Sequence, residues 1–272
     1  MPSIILTPAA AAATGLSVVP ALRPNWECVS AYPDNLGIDS YVYIVNNTGN
    51  DFYQRTVIPS NLLISIHYLS VTARCKAENA AAACTAEPGI NIIATTSYGD
   101  IVTLTTSWQD ISHYWYVNPH TVNFWSLTEP TFPASYIGIR LASAAAGTEA
   151  QCTQVYGSIY FEIIGEVVTN FFPFYHDSIH IGHAFSVFAQ EDNGRPLYNT
   201  TTRQIAYRSP DGATGVLNAA IVDSNKLLCT IPAALNNQLG KWHFQLLAVN
   251  IGGMSETYRG KPFFVNVCSQ WT

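Results

Sequence analysis

Two runs of alternating residues between positions 133 and 168 constrain the fold of this chain more than any other feature. In the first run Ile137, Ile139 and Leu141 share one parity. In the second run Ile159, Phe161, Ile163 and Val167 share one parity, and the opposite parity carries Ser158, Tyr160, Glu162 and Glu166. Because successive side chains of a strand point to opposite faces, both runs are typical of half-buried antiparallel strands. A loop of small residues joins them.

The same strand-like alternation recurs along the whole chain. Clusters of Gly, Pro, Asn and Asp separate the runs, and we expect no amphipathic helix beyond a short one near residues 109–113 or in the Ala-rich loops. Many short strands with turn-rich connections are typical of a β-sandwich. The clearest later strand is 241–251, where Trp242, Phe244, Leu246 and Ala248 share one face. The sequence therefore predicts an all-β fold.

A change of composition after Val168 predicts a domain boundary. The alternation stops at TNFFPFYHDS, and the formal charge changes from −7 for residues 1–170 to +1 for residues 171–272. We expect an extended arm over 1–24, a first β domain over 25–170 and a smaller β-sandwich of immunoglobulin-like type over 171–272. The hinge candidates are Thr169, Asn170 and Pro173.

Charge is scarce in this chain. Charged residues make up 11% of it, against about 25% in an average protein. Because the cores of protein interfaces are depleted in charge, this composition favours burial against other subunits. No run of Lys and Arg is present, so we expect weak or no nucleic-acid contact from this chain. No apolar window of roughly 18 residues is present, so we expect no membrane span.

Six cysteines occur at spacings that match no zinc pattern and no Cys-x-x-Cys motif. Cys75 and Cys84 bracket an Ala-rich loop, CKAENAAAAC, so a local disulfide between them is geometrically possible. The alternative is that all six are free thiols buried in the core or at an interface, as is common for Cys.

Two groups of residues, three histidines and two glutamates, have spacings that could suggest a metal site or a catalytic pair. On a helix, His176, His180 and His183 would share a face and could bind zinc, but in a strand the first two lie roughly 13 Å apart. Glu162 and Glu166 would also be separated by roughly 13 Å on one strand face, whereas glycosidase carboxylates lie at most about 9.5 Å apart. We therefore predict no catalytic residue, no metal ligand and no enzyme activity.

Two further sets of side chains could meet other subunits. The segments 113–116 and 123–125 carry aromatic residues at adjacent positions, so that both strand faces are apolar; either both faces are covered within the subunit or one meets a partner. Carboxylates in or near turns could hold Ca²⁺ at subunit interfaces, although turn Asp residues usually bond to local backbone; they are Asp34, Asp39, Asp51, Asp100 and Asp110.

The strand pair YIGIRLASAAAG and VYGSIYFEIIGEV, followed by a short hinge and a β domain, resembles the end of the shell domain in tombusvirus-like and nodavirus-like capsid proteins. The resemblance implies a jelly-roll shell domain over 25–170 and a projecting domain over 171–272. Those families usually carry a basic arm that neutralises RNA, whereas residues 1–22 contain no Lys or Arg. Genome packaging would then fall to another protein or segment.

The leading hypothesis is a structural capsid protein of a virion that self-assembles from many symmetric copies into an icosahedral particle. Other capsid proteins and a host receptor would be its further partners, the latter through the projecting domain. A second hypothesis is a secreted or cell-surface β-sandwich adhesin or lectin, which two glycosylation sequons and six Cys favour. A third is a glycan-active jelly-roll enzyme whose close carboxylate pair comes from different strands.

Overall fold

The computed structural model describes most of the chain as β-strands. The described residues are 2–19, 23–30, 40–79, 84–93, 95–127, 132, 135–144, 146–165, 167–169, 179–191, 197, 200–223, 225–250, 257–259 and 262–268. Within these ranges the helical structure is one short helix, α1 (Asn25–Val29). None of the described helical structure is long and apolar enough to cross a membrane. The all-β fold predicted from the sequence is confirmed.

The strands follow one another at short intervals. They are β1 (Ser3–Leu6), β2 (Pro8–Thr14), β3 (Ser17–Val19), β4 (Tyr41–Val45), β5 (Thr48–Arg55), β6 (Ile64–Ala77), β7 (Cys84–Ile92), β8 (Thr95–Tyr98), β9 (Val102–Thr103), β10 (Gln109–Trp115), β11 (Ser135–Ser143), β12 (Glu149–Ile163), β13 (Val167–Thr169), β14 (Ile179–His180), β15 (Phe185–Gln190), β16 (Thr200–Arg208), β17 (Thr214–Asn218), β18 (Ala220–Val222), β19 (Lys226–Ile231), β20 (Gly240–Asn250), β21 (Thr257–Arg259) and β22 (Phe263–Cys268).

The chain divides into two compact units. An N-terminal unit contains Ile5–Thr56 and Ile66–Tyr160, and a C-terminal unit contains Met1–Ile4, Val57–Ser65 and Phe161–Thr272. The short segment 57–65 therefore belongs with the later part of the chain. A sequence pattern does not reveal such an exchange, because it depends on contacts between distant segments. The boundary expected at 170 lies outside the described residues and stays a prediction.

Two sheets form the N-terminal unit. In the first sheet the order is β10, β6, β12, β4 and β3, and in the second it is β2, β5, β11, β7 and β8, with β9 also paired to β7. The apolar parity of β11 and β12 faces the space between the sheets. There Ile137, Ile139 and Ile159 are buried, and a Cβ added at Gly157 would lie 3.2 Å from Ile137 Cγ2. The alternation seen in the sequence therefore marks the core face.

The N-terminal segment extends both sheets of this unit. β2, which is rich in alanine, pairs with β5, and β3 pairs with β4. Between them the chain passes from one sheet to the other at Gly15 and Leu16. Since β5 and β4 would otherwise be edge strands, the segment predicted as an arm covers two edges that would be open to foreign strands.

The C-terminal unit is a second sandwich. One of its sheets has the strand order β14, β22, β20, β16 and β17, with β21 beside β20. In its other sheet the strand order is β1, β18, β19, β15 and β13. Aromatic side chains pack between them, with the Phe185 and Phe244 rings 6.1 Å apart at an interplanar angle of 82°. Trp242, Leu246 and Ala248 are also buried, which confirms the core face predicted for 241–251.

The prediction of a short helix near residues 109–113 is wrong, because this segment forms strand β10. The antiparallel ladder to β6 runs from Gln109 opposite Cys75 to Trp115 opposite Leu69. Ile111 and Trp115 are buried and Tyr114 is exposed. This period of two is the strand pattern, and it extends over the whole segment.

Candidate interaction surface

The outer face of the first sheet of the N-terminal unit carries a cluster of tyrosines. Tyr68 of β6 lies at its centre, with the Tyr160 ring of β12 stacked on it at 4.5 Å and 25°. The Tyr114 and Tyr116 rings lie 5.6 Å and 5.3 Å from Tyr68. We call these four residues the tyrosine face. Tyr68 lies in β6, Tyr160 in β12 and Tyr114 in β10, which Tyr116 directly follows. The strand order brings the four together.

Two rings of the tyrosine face are open to solvent. Tyr114 is 47% exposed and Tyr116 is 62% exposed, whereas Trp115 between them is 6% exposed. A strand buried on one side needs no large aromatic residues on its outer side. The expectation that aromatics at 113–116 occupy both faces is confirmed by these exposures, and the outer ones make an exposed aromatic patch.

A row of hydroxyl groups continues the tyrosine face along β6 and β10. Tyr114 stands opposite Ser70, and Ser112 stands opposite Thr72. The Thr72 Oγ1 and Ser112 Oγ atoms lie 2.7 Å apart in a hydrogen bond. The row ends at a salt bridge of 3.3 Å between Arg74 and Asp110. Ser70 and Thr72 are buried, so the patch offers the tyrosine rings and hydroxyls and the exposed Ser112, with charge at one end.

The hydroxyls of Tyr68 and Tyr160 stay neutral at physiological pH, because their pKa values are raised. Burial raises the pKa of Tyr68 above its ordinary value, and the three neighbouring tyrosines raise it further. Burial also raises the pKa of Tyr160, with smaller effects from Tyr114 and Tyr156. Each of these two hydroxyls can therefore both donate and accept a hydrogen bond.

Two more tyrosines extend this aromatic character to β4. The rings of Tyr41 and Tyr43 are 6.0 Å apart in an edge arrangement. Burial raises the pKa of Tyr41, and the carboxylates of Glu149 and Glu78 raise it further. β4 pairs with β12 through Tyr43 opposite Gln151.

A second exposed aromatic lies in the loop after β10. Phe124 is 78% exposed, whereas Trp125 is 4% exposed and donates a hydrogen bond of 2.7 Å from Nε1 to the Trp115 carbonyl. Here too adjacent aromatics point to opposite sides. The hydrogen bond from Val122 N to the Asn118 carbonyl, 2.7 Å long, closes this loop.

The residues singled out in the sequence lie apart from the tyrosine face. Thr169 ends β13, while Asn170 and Pro173 lie outside the described residues, so the hinge stays a prediction. Cys75 and Cys84 are free thiols in the structure. They belong to different sheets, since Cys75 pairs with Gln109 and Cys84 with Ser143.

The histidine and glutamate clusters are only partly described. His176 and Glu166 lie outside the described residues. The rings of His180 and His183 are 6.2 Å apart, and Glu162 is exposed at the end of β12. Across the ranges given above, no group of three His, Cys, Asp or Glu side chains is placed to hold a metal ion.

The aspartates proposed for calcium have different surroundings. Asp34 and Asp39 lie outside the described residues. Asp100 lies 3.4 Å from His113, and Asp110 pairs with Arg74. Asp51 is in strand β5 rather than in a turn, with no exposed surface. Calcium at a subunit interface stays a prediction.

The carboxylate of Asp51, in the N-terminal unit, accepts four hydrogen bonds. Its Oδ1 accepts hydrogen bonds from the backbone N–H groups of Gly15 at 2.6 Å and Leu16 at 3.0 Å. Its Oδ2 accepts bonds from Asn25 Nδ2 at 2.6 Å and from the Tyr53 hydroxyl at 3.1 Å. Burial raises the pKa of Asp51, and the four donors oppose this effect. The carboxylate fixes the crossover from β2 to β3.

Sequence reasoning missed Tyr68 as part of a surface. Parity places it with Ile64 and Ile66, but Ile66 is buried, His67 is exposed and Leu69 is buried. His67 and Tyr68 thus lie between the buried Ile66 and Leu69, where strict alternation would place only one residue. The alternation of buried and outward side chains therefore shifts by one residue. For Tyr160 the parity was informative, because its neighbours Ile159 and Phe161 have no exposed surface.

Comparison with known proteins gives no family. No family model and no curated protein matches the chain. Among solved structures, the chain is similar to a β-1,2-glucanase from Parabacteroides distasonis at 11% identity and a TM-score of 0.31, over 99% of this chain and 37% of that chain. It is also similar to the adhesin domain of Epf from Streptococcus pyogenes at 12% identity and a TM-score of 0.25, over 99% and 93% of the two chains.

A third similar structure is dimeric latent PorU from Porphyromonas gingivalis, at 8% identity and a TM-score of 0.27, over 98% of this chain and 21% of that chain. The chain therefore spans about a third of the glucanase and a fifth of PorU.

Proposed function

We propose that this protein is a structural viral capsid protein that self-assembles, and that its tyrosine face packs against a second copy. The observation that carries the proposal is the tyrosine face itself, an exposed aromatic and hydroxyl surface on the outer side of a sheet. Tyrosine is enriched in the cores of protein interfaces, where charge is depleted. In this proposal the particle is icosahedral, the chain resides in the virion and no residue is catalytic.

The strand order of the N-terminal unit supports the shell-domain part of the proposal. Strands β4, β6, β10 and β12 lie in one sheet, and β5, β7, β8 and β11 lie in the other. Apart from β7 to β8, each step along these eight strands crosses between the sheets. A jelly roll has eight strands in two sheets built from two Greek keys. The order β4, β12, β6, β10 facing β5, β11, β7, β8 is consistent with that layout.

The chemistry of the tyrosine face fits a second copy of the same surface. A two-fold interface brings one patch against itself, so each group must be complementary to its own kind. The hydroxyls of the tyrosines and of the exposed Ser112 satisfy this requirement because they donate and accept. A patch of one charge sign would repel itself. The charged fraction of 11% in the whole chain agrees with extensive subunit contact.

The capsid proposal also assigns roles to the C-terminal sandwich and to another component that binds the genome. The C-terminal sandwich is proposed to project from the shell and to meet a host receptor. On an exposed part of this unit's sheet, Lys241 Nζ lies 3.7 Å from the centre of the Phe264 ring in a cation–π contact. The low number of Lys and Arg residues, 12 in 272, supports a particle in which another component binds the genome.

Electron microscopy and light scattering of the purified full-length protein test the capsid proposal. We expect closed isometric particles under assembly conditions, such as raised salt or concentration. A monodisperse monomer under all these conditions would contradict self-assembly.

The tyrosine face is tested by the double change Tyr114→Ser and Tyr116→Ser. Both rings are exposed in the subunit, so we expect the melting temperature to change by less than about 3 °C. Loss of two interface aromatics should weaken association by about tenfold or more. Sedimentation equilibrium measures the change. Val216→Ser, at a 52% exposed position of β17 in the other unit, is the matched control and should assemble normally.

A second candidate function is a β-sandwich binding protein of a cell surface, with a neutral glycan on the tyrosine face. Exposed Tyr rings beside the exposed Ser112 hydroxyl also suit the apolar and polar sides of a sugar. A glycan panel with the wild type and the double tyrosine variant distinguishes the two functions. Glycan binding by monomeric wild type that the variant lacks would favour this candidate over assembly.

A further inference from the structure

Two buried cysteines lie side by side in the core of the N-terminal unit. Cys75 of β6 and Cys152 of β12 have no exposed surface, and their strands are hydrogen-bonded neighbours. The two side chains contact each other, and this contact together with burial raises the pKa of Cys75 well above its ordinary value. The thiol of Cys152 also lies 3.2 Å from the Gln154 carbonyl.

The backbone geometry suits a covalent bond between them. Neighbouring strands lie about 4.8 Å apart, and disulfides span Cα separations of about 4.4–6.8 Å. Cys84 lies in the opposite sheet of the same unit, and stacked sheets are about 10 Å apart. Cys75 therefore has Cys152 as its partner in the structure, because both lie in the same sheet. Cys84 is only nine residues away in sequence but lies in the other sheet.

We propose that Cys75 and Cys152 form a cross-strand disulfide when the chain folds in the presence of a disulfide oxidant such as oxidised glutathione. The thiolate of one cysteine attacks glutathione disulfide and releases one reduced glutathione. The thiolate of the second cysteine then attacks the mixed disulfide and releases another. Two protein thiols are oxidised, one glutathione disulfide is reduced, and the two thiol protons end on the two glutathione molecules that leave.

The bond has to form before the core closes. Thiolates are the reacting species, and in the folded protein burial and the neighbouring thiol both hold Cys75 protonated. Neither sulfur is open to a dissolved reagent once β6 and β12 are packed. The folded protein should therefore keep whichever state it acquired during folding, and late addition of oxidant or reductant should change it slowly.

The disulfide would join strands at the centre of the first sheet. It closes a loop between residues 75 and 152, and long loops give the larger reduction in unfolded-state entropy. We expect the oxidised form to melt about 5–10 °C above the reduced form. Both forms should share the same secondary structure, because the strands are already paired without the bond.

The test is to refold the full-length protein with a mixture of reduced and oxidised glutathione, and in parallel with a reductant alone. After denaturation, alkylation and digestion, mass spectrometry should find a linked peptide pair containing Cys75 and Cys152 only in the first sample. Cys84→Ser and Cys229→Ser are controls that should keep this pair. Cys75→Ser and Cys152→Ser should each lose it, together with the difference in melting temperature between the two samples.

Several results would overturn the proposal. Quantitative alkylation of both cysteines after oxidative refolding would show that no bond forms. A linked pair of Cys75 with Cys84, or of Cys152 with Cys28, would assign the bond to another partner. Because the peptide mapping is done on the wild-type chain, the answer does not depend on whether the serine variants fold.

Discussion

Replacing Asp51 by alanine should lower the free energy of unfolding by about 3–5 kcal/mol, as expected when one partner of a buried, hydrogen-bonded charge is removed. Four donors converge on this carboxylate, from Gly15, Leu16, Asn25 and Tyr53. The change removes their shared acceptor in a site with no exposed surface. Gly15 N keeps a bond to the Asn50 carbonyl and Asn25 Nδ2 keeps one to the Leu16 carbonyl, each 3.0 Å long. Urea unfolding monitored by tryptophan fluorescence measures the loss.

Hydrogen exchange tests whether Asp51 acts through the β2 to β3 crossover. Amide protons of residues 10–19 should exchange faster in Asp51→Ala, while those of β11 stay protected. The matched control is Asp110→Ala, which removes an exposed ion pair with Arg74 at 3.3 Å. Exposed pairs contribute about 0–1 kcal/mol. An equal loss of stability in the two variants would contradict the anchoring role of Asp51.

The pH dependence of the Asp51 contribution has a definite sign. Burial raises the pKa of the folded carboxyl above that of the unfolded chain, so the folded state binds the proton more tightly. The proton-linked part of the stability is fully present below the unfolded pKa, and it is lost as pH rises through the folded pKa. The difference in unfolding free energy between wild type and Asp51→Asn should therefore shrink as pH rises from about 3 to 7. A difference that grows over this window would mean that the four hydrogen bonds outweigh burial.

The sequence predicted strands best where their alternation is unbroken. In β20, four alternate side chains from Trp242 to Ala248 are all buried, as expected. In β6 the alternation shifts between Ile66 and Leu69, so parity alone would place Tyr68 on the same face as the buried Ile66. A shift of one residue exchanges the two faces of a strand, and no local signal of β6 indicates it.

The tyrosine face depends on strand order. Tyr114 and Tyr160 are 46 residues apart in the chain, and Tyr68 meets both only because β6 lies between β10 and β12. Alternation predicts which side chains point outward, but it does not predict which strands are neighbours. The same limit applies to Asp51, which the sequence suggested as a turn residue and which is buried by contact with a segment 26–36 residues away.

Gly138 lies on the face of β11 opposite to Ile137 and Ile139, and close packing explains why this position is a glycine. It lies in β11 opposite Phe52 of β5 and Gly89 of β7. A Cβ at Gly138 would overlap the backbone carbonyl oxygen of Asp51 and lie 2.5 Å from Phe52 Cδ1. The Phe52 ring, which is 4% exposed, occupies the space that a side chain at this position would need.

We expect Gly138→Ala to lower the free energy of unfolding by about 2–3 kcal/mol, the usual cost of overpacking. The added carbon meets backbone of β5, so the strand itself must move. Gly89→Ala is the matched control, because its nearest atoms are side-chain carbons of Tyr98 at 3.1 Å and of Phe52 at 3.3 Å. Rings can rotate or shift, so the control should lose less than about 1 kcal/mol.

Urea unfolding of the two alanine variants under identical conditions measures this difference. Both changes replace glycine by alanine in adjacent strands and both approach the same phenylalanine ring. If the two variants lose equal stability, the Phe52 ring sets the cost at both sites. If only Gly138→Ala is strongly destabilised, close approach of β5 and β11 at the Asp51 carbonyl is the cause. Such a result would also show that β5 is held in place on this side as well as through the Asp51 carboxylate.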